Sequence, residues 1–434
     1  MNSKGKVNLR CLLLHDNEIE NDKLIYFFIW LLSVEMIIGG SGRLFAIGGI
    51  SLRYILFGLF IIYFFLHVLK VKKIPRNIFT PLISLFIGIL IIAFINGIAN
   101  NYLTSSILGV LKSYLYLLIF FPLVIILCNK SRIDYIFEIM HKASKVIALS
   151  TIILFVGLLL FRVEFYLIVN PFLEKYSLGA LAITESGLPR VFFRISPYLT
   201  IFAIYELVYI CVEKQPKKSR YIWLSIFLIA IFITMTMGIW VAFAVGVIGF
   251  IFILKNKKVI KRFLIGLSTL GLLLSIVIGE LVLRVLLTRF SKDDESLIIK
   301  TQQLQQLIEV WLEKPILGHG FGIEIIFNNE LGTRVMTRFE LYWIELLVHT
   351  GVIGFTIYVA LIGQLFVVSV FLVDKYRDDK VAVTQIITIC IGVLMLCITS
   401  FVNPFMNNPI GIFYLVVGLV CLNYYYYHWK KVGR

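Results

Sequence analysis

A few short stretches hold the residues whose types and spacing suit them to chemistry. PRVFFRISP places Arg190 and Arg194 four residues apart, so that in a helix both would lie on one face. A guanidinium is permanently charged and forks two hydrogen bonds onto phosphate or carboxylate oxygens, which makes this pair a candidate anion site. Lys300 offers a compact positive charge without that fork, and Arg289 and Arg338 lie in the same long segment between apolar runs. Glu340 stands at the edge of an apolar run, where partial desolvation suits a carboxyl group to general-base work or to orienting a hydroxyl. Each has a plainer alternative: basic side chains anchor helix ends at an interface, and a carboxylate near a helix start favours the dipole. His319 and His349 stand apart with no further residue at ligand spacing, so no metal and no cofactor is expected. Gly318, Gly320 and Gly322 permit a tight turn but lack the Lys-Ser/Thr that completes a phosphate-binding P-loop.

The elements that must position these residues are membrane helices. Of 434 residues, 60% are hydrophobic and only 15% charged, and mean hydropathy is +0.94, values that exclude a water-soluble domain. Apolar stretches of helix-spanning length fall near 24–39, 51–69, 79–95, 106–127, 146–161, 197–212, 221–236, 238–254, 263–282, 341–373, 381–400 and 410–427. The expected fold is an all-α polytopic membrane helix bundle of about twelve transmembrane helices, forming a single membrane domain over 1–434. The first residues lack the apolar core and cleavage site of a signal peptide. Of six cysteines, none falls in a predicted outer loop, so a disulfide framework is not expected.

Charge fixes the orientation. The net charge of +16 comes without a nucleic-acid signature, and the basic residues are instead distributed by side of the membrane. The N-terminal tail, the alternate loops KVKKIPR, NKSRIDYIFEIMHKASK, EKQPKKSR, KNKKVIKR and DKYRDDK, and the tail WKKVGR all land on one side, which places both termini in the cytoplasm. Two long segments, 162–196 and 284–340, then lie outside; loops of that length are uncommon unless functional. Leu304, Leu307, Ile308 and Trp311 recur at helical spacing, which predicts a surface helix lying as a lid over a cavity. Glu35, Lys112 and Glu206 are charges inside apolar runs and count as functional candidates or as a structural pair.

From Lys300 the chain reads KTQQLQQLIEVWLEKPILGHGFG and, some twenty residues later, ELYWIELLVHTGVIGF. This pattern resembles the O-antigen polymerase and ligase superfamily of bacterial surface polysaccharide enzymes: a basic residue, a loop helix, a Pro-x-x-Gly-x-Gly turn, and a polar residue eleven positions before Gly-x-x-Gly. Here those are Lys300, Pro315, Gly318, Gly320, Glu340, Gly351 and Gly354. Lys300 replaces the usual arginine, Glu340 the frequent histidine, and Thr236-Met237-Gly238 a frequent Ser-Arg. The resemblance implies a metal-independent glycosyltransferase of the bacterial cytoplasmic membrane, with an undecaprenyl-pyrophosphate-linked oligosaccharide as donor and no nucleotide sugar. Arg190, Arg194, Lys300, Arg289 and Arg338 would bind substrate, and Glu340 would be catalytic. The missing histidine favours an O-antigen, capsule or exopolysaccharide polymerase over an O-antigen ligase. A chain-length regulator and a flippase are the expected partners beyond the lipid bilayer, and no nucleic acid. A transporter of lipid-linked oligosaccharide is the rival of another class, since twelve helices is a common transporter plan; the chain shows no half-to-half repeat.

Overall fold

The computed structural model describes residues 19–40, 44–47, 50–72, 76–183, 188–254, 295–329 and 332–432. In order along the chain these form α1 (Ile19–Ile38), β1 (Ala46–Ile47), β2 (Ile50–Ser51), α2 (Leu52–Val71), α3 (Thr80–Ala99) and α4 (Thr104–Tyr114). A 3-10 segment (Leu115–Ile119) leads to α5 (Phe120–Ile126), followed by α6 (Lys130–Lys175), β3 (Gly179–Ile183), β4 (Pro189–Phe193), α7 (Pro197–Val212), α8 (Lys218–Ile233) and α9 (Met237–Leu254). The remainder is α10 (Glu295–Glu313), β5 (Ile325–Asn329), β6 (Gly332–Met336), α11 (Tyr342–Lys375), α12 (Lys380–Thr399) and α13 (Pro409–Val432). The protein is an all-α, polytopic membrane helix bundle. Among the described residues eight helices are long and apolar enough to cross a membrane, and α7 is a shorter apolar one. Each expected span corresponds to a helix except 263–282, which lies outside the described residues.

Contacts sort the helix ends into two faces. At one, Tyr26 meets Ser131 at 2.9 Å, Lys130 meets Asp379 at 2.6 Å, Lys380 meets Glu213 at 2.6 Å, and the Ile78 amide donates to Asn423 Oδ1. These are the ends that carry the basic loops. At the other face, here called the loop face, Arg53 donates to the Gly40 carbonyl, Tyr198 to that of Ile410, and Trp343 to that of Cys397. Helices α12 and α13 are wrapped on nearly all sides, whereas α2 is bare over most of its length. Leu69, Phe65 and Phe252 are among the exposed apolar side chains, as a surface facing hydrocarbon requires.

Several expectations are corrected. The segment 130–145 is the start of α6 rather than a loop, capped by Asn129, whose side chain accepts from the Arg132 amide. Ile133, Ile136, Phe137, Met140 and Ala143 recur at three- and four-residue intervals and are buried, a helical stripe hidden in the sequence by the charges between them. Helix α6 also runs beyond 161: it breaks at Arg162 (φ 39°, ψ −111°), and Phe165 then packs on Gly157. Three antiparallel hairpins, β1–β2, β3–β4 and β5–β6, occupy the loop face. On α10 the buried stripe is Gln303 and Leu307, while Leu304 is exposed, so the helix is rotated from the expected face. Leu307 joins Ile323, Ile325, Phe327, Phe339 and Val348 in a small core of its own. Lys112 is exposed on α4, within the candidate span Thr104–Ile126. Glu206 is fully buried against Arg220 (3.0 Å) and His141 (2.8 Å), and Glu35 pairs with buried Arg53 at 3.6 Å.

Candidate active site

The turn that follows α10 is built by its glycines. Gly318, Gly320 and Gly322 have φ of 72°, 87° and 87°, a region costly for any residue with a Cβ. Their backbone enters a break in α11 at Gly351, whose own φ is 63°. The His319 and Gly320 amides donate to the carbonyls of Val348 and His349, at 2.8 and 3.1 Å. In return the Val352 amide donates to the Pro315 carbonyl at 2.9 Å, and Ile353 to Ile316. The Phe321 amide reaches the Ala93 carbonyl on α3, where a Cβ at Gly97 would lie 2.3 Å from the Phe321 oxygen. Gly354 lets α11 approach Ile89 of the same helix. The motif is therefore a backbone clasp that joins the long loop to α3 and α11. At the restart of α11 the Val352 and Ile353 amides thus already have carbonyl partners in the turn.

This clasp and the α10 core fix three of the sequence-derived residues at one edge. Lys300 Nζ lies 3.3 Å from Glu340 Oε2, with the lysine side chain 22% exposed and the carboxylate 52%. Glu340 is thus more open than a residue sunk at a membrane boundary. Two positions earlier, exposed Arg338 donates through Nη2 to Ser113 Oγ on α4. The arrangement offers a guanidinium, an ammonium and a carboxylate at one accessible edge. That set can bind an anion and accept a proton from a hydroxyl. Among the described residues no three His, Cys, Asp or Glu side chains come together as a metal site would require.

Comparison with known proteins gives two likenesses. Residues 222–359 match the O-antigen ligase family. Over 403 residues the chain is 26% identical to an O-antigen polymerase of Shigella flexneri, an alignment that covers 91% of this chain and 93% of that one. Both likenesses are to the O-antigen polymerase and ligase superfamily. The matched stretch runs from α8 into α11, so it contains the clasp, Lys300, Arg338 and Glu340. The first long loop lies before it.

Arg190 nevertheless reaches the matched stretch. It stands on β4, paired with Ala182 of β3, so PRVFF is a strand and not the helix that the four-residue spacing suggested. The hairpin hangs from α6, where Asn170 Oδ1 accepts from the Leu181 amide. Arg190 Nε donates to the Thr234 carbonyl and Nη2 to Thr236 Oγ1, both at 3.1 Å, at the α8–α9 break where Met235 has φ 44°. The Arg190 guanidinium therefore sits beside the Thr236-Met237-Gly238 stretch. Arg194 is exposed just beyond the strand, its amide bonded to the Leu178 carbonyl. Arg289 lies outside the described residues.

Sequence reasoning missed two pairings. Glu35 was named as a charge inside an apolar run, but its buried partner Arg53 was not, because the reading of arginines was confined to the two long loops. Glu345, His349 and Asn407, with Tyr114 and Tyr342, form a buried polar cluster beneath the loop. A lone carboxylate at position 345 inside an apolar run was the available signal.

Proposed function

We propose that the protein polymerises a bacterial surface polysaccharide at the outer face of the cytoplasmic membrane, with both termini in the cytoplasm. In this reaction a sugar hydroxyl of one lipid-linked repeat unit attacks the anomeric carbon of another unit. The new glycosidic C–O bond forms as the bond to undecaprenyl pyrophosphate breaks. The pyrophosphate leaves with the electron pair, and the hydroxyl proton passes to Glu340. Arg338 and Lys300 hold the donor's pyrophosphate, and Arg190 and Arg194 contribute from the β3–β4 side. The observation that carries this reading is the Lys300–Glu340 pair beside Arg338 at the loop edge, inside the stretch that matches the family. The near end-to-end likeness to an O-antigen polymerase supports a polymerase over a ligase.

The test is to incubate purified protein with undecaprenyl-pyrophosphate-linked oligosaccharide, without nucleotide sugar or ATP and with a chelator present. The expected product is a ladder rising by whole repeat units. Loss of a general base lowers the rate by about 10²–10⁴-fold, the effect expected of Glu340→Gln. Product only when a lipid A core acceptor is added would instead identify a ligase, and unchanged lipid moved across vesicles a transporter.

A further inference from the structure

Toward the ends that carry the basic loops stands a cluster of charge that the reaction described above does not touch. Glu206 of α7 is fully enclosed there, and three basic groups surround its carboxylate. Arg220, in the first turn of α8, donates through Nη1 to Oε2 at 3.0 Å. His141 Nε2 and Lys145 Nζ, both from α6, lie 2.8 and 4.0 Å from Oε1. One carboxylate balances one cation, so even with a neutral imidazole the cluster keeps a surplus positive charge.

The surplus faces outward. The Glu206 side chain is wholly shielded, whereas those of Lys145 and Arg220 are 22% and 23% exposed. Lys145 Nζ makes no hydrogen bond among the described residues, since at 4.0 Å the Glu206 carboxylate is beyond one. It stands 4.4 Å from the centre of the Trp223 ring, and the Arg220 guanidinium 4.0 Å from that of Tyr209. The ring faces hold both cations in place without neutralising them. One of the five N–H donors of Arg220 goes to Glu206, which leaves others at the surface.

Apolar surface leads up to these cations. Leu149, Ile153 and Val156 follow Lys145 along one face of α6, and all three are exposed. In a membrane helix such a stripe lies against acyl chains, so the lysine and Trp223 mark the level at which hydrocarbon gives way to headgroups. We propose that Lys145 and Arg220 form a binding site for an anionic phospholipid of the leaflet at the basic-loop face. Both reach oxygens of one carboxylate, which keeps them close enough to share one headgroup phosphate. An acyl chain of the same lipid runs along Leu149, Ile153 and Val156. A zwitterionic lipid offers the same phosphate but brings an ammonium of its own, which the surplus charge repels. The site stands apart from the loop edge and does not depend on the reaction proposed there.

Native mass spectrometry of the full chain in detergent tests this, with dioleoyl-phosphatidylglycerol, dioleoyl-phosphatidylcholine and inorganic phosphate titrated in turn and thermal unfolding recorded for each variant. Lys145→Gln removes the ammonium and leaves Arg220 on Glu206, so the buried carboxylate keeps its partner. Lys431→Gln removes a charge of the same sign from the last turn of α13 and serves as the control. Wild type is expected to prefer phosphatidylglycerol to phosphatidylcholine. Lys145→Gln is expected to weaken phosphatidylglycerol binding about fivefold, the worth of one basic group at an anionic surface, and Lys431→Gln to leave it unchanged. Arg220→Lys keeps the charge and loses the fork; it is expected to weaken binding in the same direction and serves if Lys145→Gln fails to fold. Equal binding of the two lipids by wild type would overturn the site. Equal losses in Lys145→Gln and Lys431→Gln would replace it with a diffuse positive field. Inorganic phosphate bound as tightly as phosphatidylglycerol would make it a site for a soluble anion and sink the lipid reading.

Discussion

At the scale of single residues, Gly351 and Gly363 stand on the same helix and make a controlled pair. A Cβ on Gly351 would lie 2.1 Å from the Ile316 carbonyl oxygen at φ 63°, whereas nothing lies within 4 Å of one on Gly363. Gly351→Ala is expected to cost about 2 kcal/mol or more, and Gly363→Ala to be neutral or to stabilise by about 0.5–1 kcal/mol. Thermal unfolding of the two variants in one detergent decides it. Glu206 gives a second case, because its buried carboxylate faces Arg220, His141 and Lys145. Glu206→Ala leaves those charges without their partner and is expected to lose about 3–5 kcal/mol, read as a lowered unfolding temperature. The glycines were legible in sequence because their spacing encodes a backbone path that only they can follow. Glu345 and Arg53 were not, because average hydropathy reports that a stretch is apolar and says nothing of which single charge meets which partner across the bundle.

At the scale of elements, α10 and its hairpin form a unit with a separate core. Leu307 is fully buried in it and Leu304 is exposed. Leu307→Ala is expected to destabilise this unit by about 2–5 kcal/mol and to open the segment around 300–340 to protease. Leu304→Ala should leave the digestion pattern unchanged, with an effect within about 0.5 kcal/mol. A result in which both behave alike would mean the stripe lies elsewhere. The helix was readable from its periodicity, but its rotation was not, since Gln303 is polar by composition and buried by its contact with Met336. The hairpins escaped notice because strands of five residues in GALAI and PRVFF carry too little alternation to separate from loop. Helix α6 shows the opposite failure, where charges at its start hid a buried apolar face.

At the scale of the whole molecule, the two faces make a labelling experiment direct. Single cysteines introduced as Gln215→Cys or Asp378→Cys are expected to resist a membrane-impermeant maleimide in spheroplasts, and Leu103→Cys or Leu312→Cys to react. Reaction of the first pair alone would invert the orientation. The arrangement of spans was legible because the basic loops alternate with the apolar runs; the burial of α12 and α13 was not, since their composition matches that of helices bathed in lipid. The clasp at Gly351 bears on how a long-tailed lipid enters. The Val352 and Ile353 amides donate to the Pro315 and Ile316 carbonyls, and withdrawing that turn would break both bonds. The stretch after Lys314 is thus stitched to α11 by backbone bonds that any swing outward would have to break. Under the function proposed above, a lipid-linked donor is expected to arrive sideways from the bilayer along flanks as bare as that of α2, its tail never leaving oil.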